Sequence, residues 1–323
     1  MTKPKVIVTR RWPEEVEQRL SGMFDVTLNR DDRPMTVDQL QDALRTADAV
    51  LPTVSDRITA EVLSAEPLRT QILGSFGVGF NHIDIKAAKA RGIAVTNTPE
   101  VLTDCTADTA MTLLLMVARR AGEGERHVRT KAWTGWRPTH MMGTRVTGKT
   151  LGLVGMGRIG KAVAKRAHHG FGMQVLFHDP LPLSPEETES LGVRACPSLE
   201  DVLRQADFVS LHCPAIPETR HLMNAARLAL MKPTGFLINT SRGDVVDEQA
   251  LVEALRQGRI AGAGLDVFER EPKVTDDLLA MENVVLLPHL GSASRETRVA
   301  MGMRVVDNLI AFFVDKNPRD RVV

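Results

Sequence analysis

Short, unbroken apolar runs alternate along this chain with stretches in which apolar residues recur every three or four positions, from KVIVT at 5–9 to a helix-length segment at 294–314. Apolar runs that lack a two-residue period are the mark of strands buried on both faces, which is the condition of parallel strands joined by crossover helices. Strands are predicted at 5–9, 25–29, 49–52, 71–76 and 93–97, and, after a gap, at 150–155, 174–179, 208–212, 235–239, 261–267 and 284–288. The class expected is α/β, with doubly wound parallel sheets covered by helices.

Helix punctuation agrees with that reading. Ser184-Pro185-Glu186-Glu187 supplies an N-cap, a proline at the first helical position and a glutamate at the third. Asp247 to Gln257 reads as a helix that Gly258 ends. A chain of 323 residues exceeds one ordinary core, so two domains are expected. The break falls between Asn97 and Thr150, where a long helix at about 104–120 leads into KAWTGWRPTHMMGTRVTGKT, a segment without a core-facing period. The predicted organisation is a discontinuous domain of residues 1–99 and 289–323 around a nucleotide-sized domain of 100–288, with 121–147 as an excursion that packs on something else, such as a second subunit.

Composition removes several function classes. Hydrophobic residues at 43% and charged residues at 25% describe an ordinary globular chain, and a net charge of +1 gives nucleic acid or an anionic membrane no handle. The basic stretch RRAGEGERHVRTK (119–131) is interleaved with Glu123 and Glu125, which suits a solvated or subunit-facing surface. Its neighbour, the apolar run at 111–118, is far below the roughly 18 residues that span a bilayer. The amino terminus reads as a first strand and not a signal peptide, so a cytoplasmic protein is expected. Cys105, Cys196 and Cys213 are odd in number and widely spaced, which disfavours disulfides and a structural metal. There is no tyrosine, so chemistry that takes its proton from a Tyr-x-x-x-Lys pair is excluded.

The strongest local signal is LGLVGMGRIGKAVAKR, with Gly155, Gly157 and Gly160 spaced Gly-x-Gly-x-x-Gly between a strand and a helix. The three glycines suit a tight turn, close approach of backbone to a pyrophosphate, and close packing of helix on strand, with Arg158 and Ile159 at the helix head. The next strand ends at Asp179, 19 residues beyond Gly160, near the spacing of the acid that binds the adenosine ribose. Its carboxylate opposes a 2′-phosphate, and no Arg or Lys follows before Arg194, so NAD(H) is favoured over NADP(H). The competing reading of Asp179 is an Asp-Pro turn. Cys213, Pro214 and Thr240, just beyond predicted strands, complete the expected cofactor contacts.

Moving a hydride to a carbonyl creates an alkoxide that needs a proton and a cation, and three late segments supply them. Arg242 in NTSRGDVVD, Asp266 in GLDVFEREP and His289 in VVLLPHLGSAS all lie at or just beyond strand ends, where doubly wound sheets bind ligands. His289 is the candidate proton donor; Glu271, hydrogen-bonded to the imidazole, would hold its tautomer and favour its protonated form. Arg242 would grip a substrate carboxylate and polarise the adjacent carbonyl. Asp266 is a candidate for the nicotinamide end. Each has a bland rival taken alone, since Arg242 can cap a turn, Glu271 can be a solvated turn residue and Asp266 can pair structurally.

These motifs, with FGVGFNHIDIKAAKARGIAVTNTPEVLTDCTAD (76–108), INTSRGDVVDEQAL (238–251) and LPHLGSAS (287–294), resemble the D-isomer-specific 2-hydroxyacid dehydrogenases over nearly the whole chain. The segment RRAGEGERHVRTKAWTGW is most similar to the glyoxylate and hydroxypyruvate reductases of that family. The resemblance implies a Rossmann nucleotide-binding domain inserted in a flavodoxin-like substrate domain, with Arg242, Glu271 and His289 catalytic. It also implies a substrate carboxylate held by the amides of Val78 and Gly79, Thr106 near the cofactor, and hinges near 98–101 and 288–291. A homodimer follows, formed through the excursion, in which Trp136 closes the pocket of the other subunit. Phe80 and Asn81 depart neutrally from the family's usual residues, and some reductases carry basic residues at Asp179 and use NADPH. The enzymatic alternative is another small D-2-hydroxyacid such as lactate. The non-enzymatic one is an NADH-sensing corepressor, which would be expected to carry partner-binding tails beyond the first strand and last helix.

Overall fold

The structure, a computed structural model, describes residues 3–323, which divide into two compact units: residues up to Leu102 with Ala293–Val323, and Thr103–Ser292. In the first unit, β1 (Lys5–Val8), β2 (Asp25–Thr27), β3 (Ala49–Leu51), β4 (Ile72–Gly74) and β5 (Ala94–Thr96) form a parallel sheet in the order β2-β1-β3-β4-β5. The helix Arg295–Asp315, capped at its start by the Ser294 hydroxyl, packs on β4 and on the helix Glu14–Met23. A sequence-distant helix thus belongs to the amino-terminal sheet.

The second unit holds seven strands: β6 (Thr150–Val154), β7 (Gln174–His178), β8 (Val193–Ala195), β9 (Phe208–Leu211), β10 (Phe236–Asn239), β11 (Gly262–Leu265) and β12 (Val284–Leu286). Their order is β12-β11-β10-β9-β6-β7-β8, all parallel, so the direction of winding reverses between β6 and β9, where a doubly wound sheet opens a ligand crevice. The strands carry no two-residue alternation because both faces are buried. Leu237 packs into one apolar cluster with Leu211, Leu251 and Leu265, while its neighbours Phe236 and Ile238 pack into the other with Leu113, Leu153 and Phe208.

Eleven strands were expected and twelve are present among the described residues. The additional one, β8, is a three-residue edge strand, VRA, with only Val193 buried, too short and too polar to stand out from a loop. The expected capping box at Ser184 is present, and Gly258 has φ +63° just past the end of the helix Glu248–Arg256. The long helix is Thr103–Ala118, followed by a separate helix Ala121–Arg129 that has no buried residue. Among the described residues, no helix is long and apolar enough to cross a membrane.

Candidate active site

The glycine turn after β6 has the geometry a dinucleotide requires. Gly155 lies at φ +96°, and a side chain there would stand 2.8 Å from the backbone of His212 and Cys213. At Gly160 a Cβ would come within 2.3 Å of the Gly155 carbonyl oxygen, so the helix Arg158–Lys165 can sit this close to the turn only without one. A Cβ on Gly157 would meet nothing within 4 Å. Gly157 is also the helix N-cap and accepts no amide with a side chain, so the helix presents its amino end beside open space of the kind a pyrophosphate fills. The Thr240 hydroxyl, just past β10, is buried without a hydrogen-bond partner, a second sign that the rim of this sheet is built for a polar ligand.

Asp179 follows β7 by one residue. Its Oδ2 accepts the Met156 N–H at 2.6 Å and its Oδ1 accepts the Leu181 N–H at 2.8 Å. The carboxylate therefore closes an Asp-Pro turn and grips the glycine turn at once, so the two readings of this residue coexist. Cys213 is raised by burial, with added repulsion from Asp179 and Asp244, to about 11 and is an inert thiol at neutral pH. Next to it, His212 is lowered by burial to about 4 and stands as a neutral ring beside the Ser210 hydroxyl. Pro214 is exposed and Ile159 half-buried at the same rim.

Arg242, Asp266, Glu271 and His289 all belong to the second unit, at the ends of β10, β11 and β12. His289 has φ +55°, a conformation costly for a residue with a Cβ, and the neighbouring bonds hold it there. Its N–H donates to the Asp266 carbonyl at 2.9 Å, while the next two amides, of Leu290 and Gly291, donate to the two oxygens of the Asp266 carboxylate at 2.6 and 2.7 Å. Asp266 is 1% exposed. Burial pushes its carboxyl above the ordinary value, and the two amides and the His289 charge offset this only in part. Sequence reasoning gave Asp266 to the nicotinamide end; the structure adds that it anchors the turn carrying the histidine, with Thr106 beside Gly291.

The ring of His289 meets Glu271, with Nδ1 2.8 Å from Oε2. An ionised carboxylate only accepts, so Nδ1 carries the hydrogen and Nε2 is turned away from Glu271, with no partner among the described residues. The other Glu271 oxygen accepts the Phe268 N–H at 3.0 Å, fixing the carboxylate from both sides. Burial acts to raise this carboxyl, but the His289 hydrogen bond and charge, the Phe268 N–H and the Arg242 charge together hold it below the usual value. Arg242 follows from Asn239, whose side-chain amide donates to the Arg242 carbonyl and whose oxygen accepts from Ser241. Burial weakens the hydration of its guanidinium, opposed by the charges of Glu271 and Asp244. An arginine remains a cation there, so the rim joins one fixed positive charge to a histidine with a set tautomer.

In the first unit, Val78 and Gly79 follow β4 in a half-buried turn. Their amides donate to no described residue, while the Val78 carbonyl accepts from the Asn97 side chain at 2.8 Å. Trp136 is 82% exposed, and Trp133, Val128 and Met142 are exposed near it in sequence. Sequence reasoning missed a second imidazole–carboxylate pair, His221 with Glu269 at 2.8 Å. The partners stand 48 residues apart, and neither flanking sequence marks them as a pair.

Residues 111–291 match the family model described as the D-isomer-specific 2-hydroxyacid dehydrogenase NAD-binding domain. The chain is 49% identical to the glyoxylate reductase of Korarchaeum cryptofilum over 96% of its own length and 93% of that protein's. It is 45% identical to the glyoxylate reductase of Thermococcus litoralis, over 99% and 97% respectively. Among solved structures, the NADPH-dependent glyoxylate/hydroxypyruvate reductase of Sinorhizobium meliloti, determined with NADP and malonate, aligns with a TM-score of 0.88 at 38% identity, covering 100% of this chain and 97% of that one. With the glycine turn and the histidine–carboxylate pair already set in the same unit, this chain belongs to the D-isomer-specific 2-hydroxyacid dehydrogenase family.

Proposed function

We propose that the protein reduces glyoxylate and hydroxypyruvate to glycolate and D-glycerate with a nicotinamide dinucleotide. The observation that carries this reading is the His289–Glu271 pair, set at a sheet rim with Arg242 close enough for its charge to act on Glu271. The relatives named above as reductases of these acids support the substrate class. The cofactor, when bound, supplies the hydride. Its pyrophosphate would lie at Gly157, Arg158 and Ile159, its ribose at Asp179, and Thr106, Cys213, Pro214, Thr240 and Asp266 would line the rest.

The chain's own part is orientation and proton supply. Arg242 holds the substrate carboxylate and draws charge toward the carbonyl oxygen. The His289 Nε2–H donates its proton to that oxygen as the alkoxide forms, and the Glu271 carboxylate stabilises the charged ring through Nδ1. The family resemblance also gives the amides of Val78 and Gly79 a carboxylate-binding role, and they donate to no described residue.

NAD(H) is the favoured form. The Asp179 carboxylate is fixed by two backbone amides, and its charge repels a ribose 2′-phosphate. The working assembly is a homodimer. Trp133, Trp136, Val128 and Met142 lie exposed in or beside a helix with no buried residue, and a second copy that covered them would bring Trp136 to its neighbour's pocket. The test is steady-state turnover of glyoxylate, hydroxypyruvate and pyruvate with NADH and NADPH in parallel. The reading expects the first two acids and NADH to give the highest kcat/KM. It fails if no 2-oxoacid is reduced while NADH binds, which would favour the sensing module.

A further inference from the structure

The second imidazole–carboxylate pair lies outside the reacting groups yet touches both loops that carry them. His221 has φ +48°, an uncommon conformation for a residue with a Cβ, and its backbone N–H donates to the Asp244 carbonyl at 2.8 Å, two residues beyond Arg242. Its ring Nε2 stands 2.8 Å from Oε1 of Glu269, two residues before Glu271, and both side chains are half-buried. The Met223 N–H donates to the Val245 carbonyl at 3.0 Å, which extends the seam.

From the other side, the Glu269 N–H donates to Glu248 Oε1 at 2.6 Å, and the Thr275 hydroxyl donates to Glu248 Oε2 at 2.6 Å. Where the loops cross, a Cβ on Gly243 would lie 1.9 Å from the Phe268 carbonyl carbon, so the backbones are in direct contact. Three segments, 219–223, 242–248 and 268–275, are thereby fastened together; Glu248 joins the last two by its side chain, and His221 joins them from the first, its backbone held by one loop and its ring by the other.

We propose that His221 and Glu269 form a positioning pair that sets Arg242 against Glu271 and so fixes how the 2-oxoacid carboxylate is held. This rests on the reductase reading above. An ionised Glu269 only accepts, so Nε2 of His221 is the donor and the pair is directional. A displacement of about 1 Å in a substrate-orienting group can cost on the order of a hundredfold in kcat/KM, so a hinge two residues away has leverage. Arg242 also polarises the carbonyl, but its grip on the carboxylate is made before and during the reaction alike, so a loosening of that grip falls chiefly on KM.

The experiment compares wild type with His221→Ala, Glu269→Ala, Glu269→Gln and the His221→Ala/Glu269→Ala double variant. It measures kcat and KM for glyoxylate, and the Kd for NADH by fluorescence. We expect KM to rise about 10- to 100-fold in each alanine variant, with kcat within about threefold of wild type and NADH affinity within about twofold. The double variant should be no worse than the worse single one, and Glu269→Gln, which keeps an acceptor, should recover part of the loss. An unchanged KM overturns the proposal, as do additive losses or a loss of NADH affinity in proportion. If the alanine variants do not fold, Glu269→Gln against wild type decides by the same split of KM from kcat. Wild type that reduces no 2-oxoacid would instead overturn the functional reading on which this rests.

Discussion

The second unit contains two imidazole–carboxylate pairs of nearly the same local geometry. In each, the histidine backbone lies at positive φ, a ring nitrogen stands 2.8 Å from a glutamate oxygen, and the glutamates are Glu269 and Glu271 of one loop. They differ in which nitrogen is engaged and in what surrounds the backbone. His289 binds its glutamate through Nδ1, which leaves Nε2 without a partner among the described residues, and its turn is anchored by the buried Asp266. His221 binds through Nε2, and its own backbone is tied to the Arg242 loop. A histidine–carboxylate contact therefore does not by itself mark a proton donor. On the proposed reading, the ring whose Nε2 is left unengaged at the end of β12 is the donor, whereas the ring tied to the Arg242 loop is a fastening.

The largest effect expected is at the His289 pair. His289→Ala should lower kcat for glyoxylate by roughly 10²–10⁴-fold while NADH still binds, measured by stopped-flow absorbance and by fluorescence titration. Next is its partner: Glu271→Gln should cost less, on the order of ten- to a thousandfold in kcat, because it orients and stabilises the ring without transferring the proton. The same variant has a pH signature. The folded Glu271 carboxyl titrates below its ordinary 4.5, so its contribution to stability is present above that value and is lost as pH falls through the lower folded value. Chemical denaturation of wild type and Glu271→Gln should thus separate toward neutrality and converge in acid as pH falls through the folded value, below 4.5. Convergence at neutral pH instead would contradict the ion pair.

Gly243→Ala sharpens the contrast from the His221 side. The added methyl meets the Phe268 backbone, so thermal or denaturant unfolding should show a loss of about 1–3 kcal/mol together with a raised KM for the 2-oxoacid. The smallest effect touches neither pair: Asp179→Asn should move the NADPH-to-NADH ratio of kcat/KM upward by about tenfold and leave the response to 2-oxoacid unchanged. A shift in 2-oxoacid KM there would show that the cofactor turn and the proton-donating rim are not independent.

What could be read from the sequence divides along the same line. The glycine turn was legible because its three glycines fall within six residues between a strand and a helix, although the contact that confines Gly155 comes from His212 and Cys213, and Asp179 was legible because one helix and one strand separate it from the turn. Arg242, Glu271 and His289 were legible as chemistry at strand ends, although their mutual arrangement depends on the order β12-β11-β10, which no local pattern encodes. The second function of Asp266 was hidden, since its partners are backbone amides 24 and 25 residues away and leave no side-chain signature. The pairing of His221 with Glu269 was hidden for a different reason: its two side chains stand 48 residues apart and meet only where three loops come together. The segment 131–150 shows no core-facing period, and the structure gives the physical cause: Val146 is its one buried residue.

The most direct measurement places His289→Ala and His221→Ala side by side in NADH-dependent glyoxylate reduction, with 2-oxoacid raised to saturation. The account predicts that His221→Ala regains most of the wild-type kcat at high substrate, whereas His289→Ala remains slow at every concentration because its proton donor is gone. If both recover, His289 is not the donor; if both stay slow, the two pairs act as one catalytic unit and the distinction between them fails.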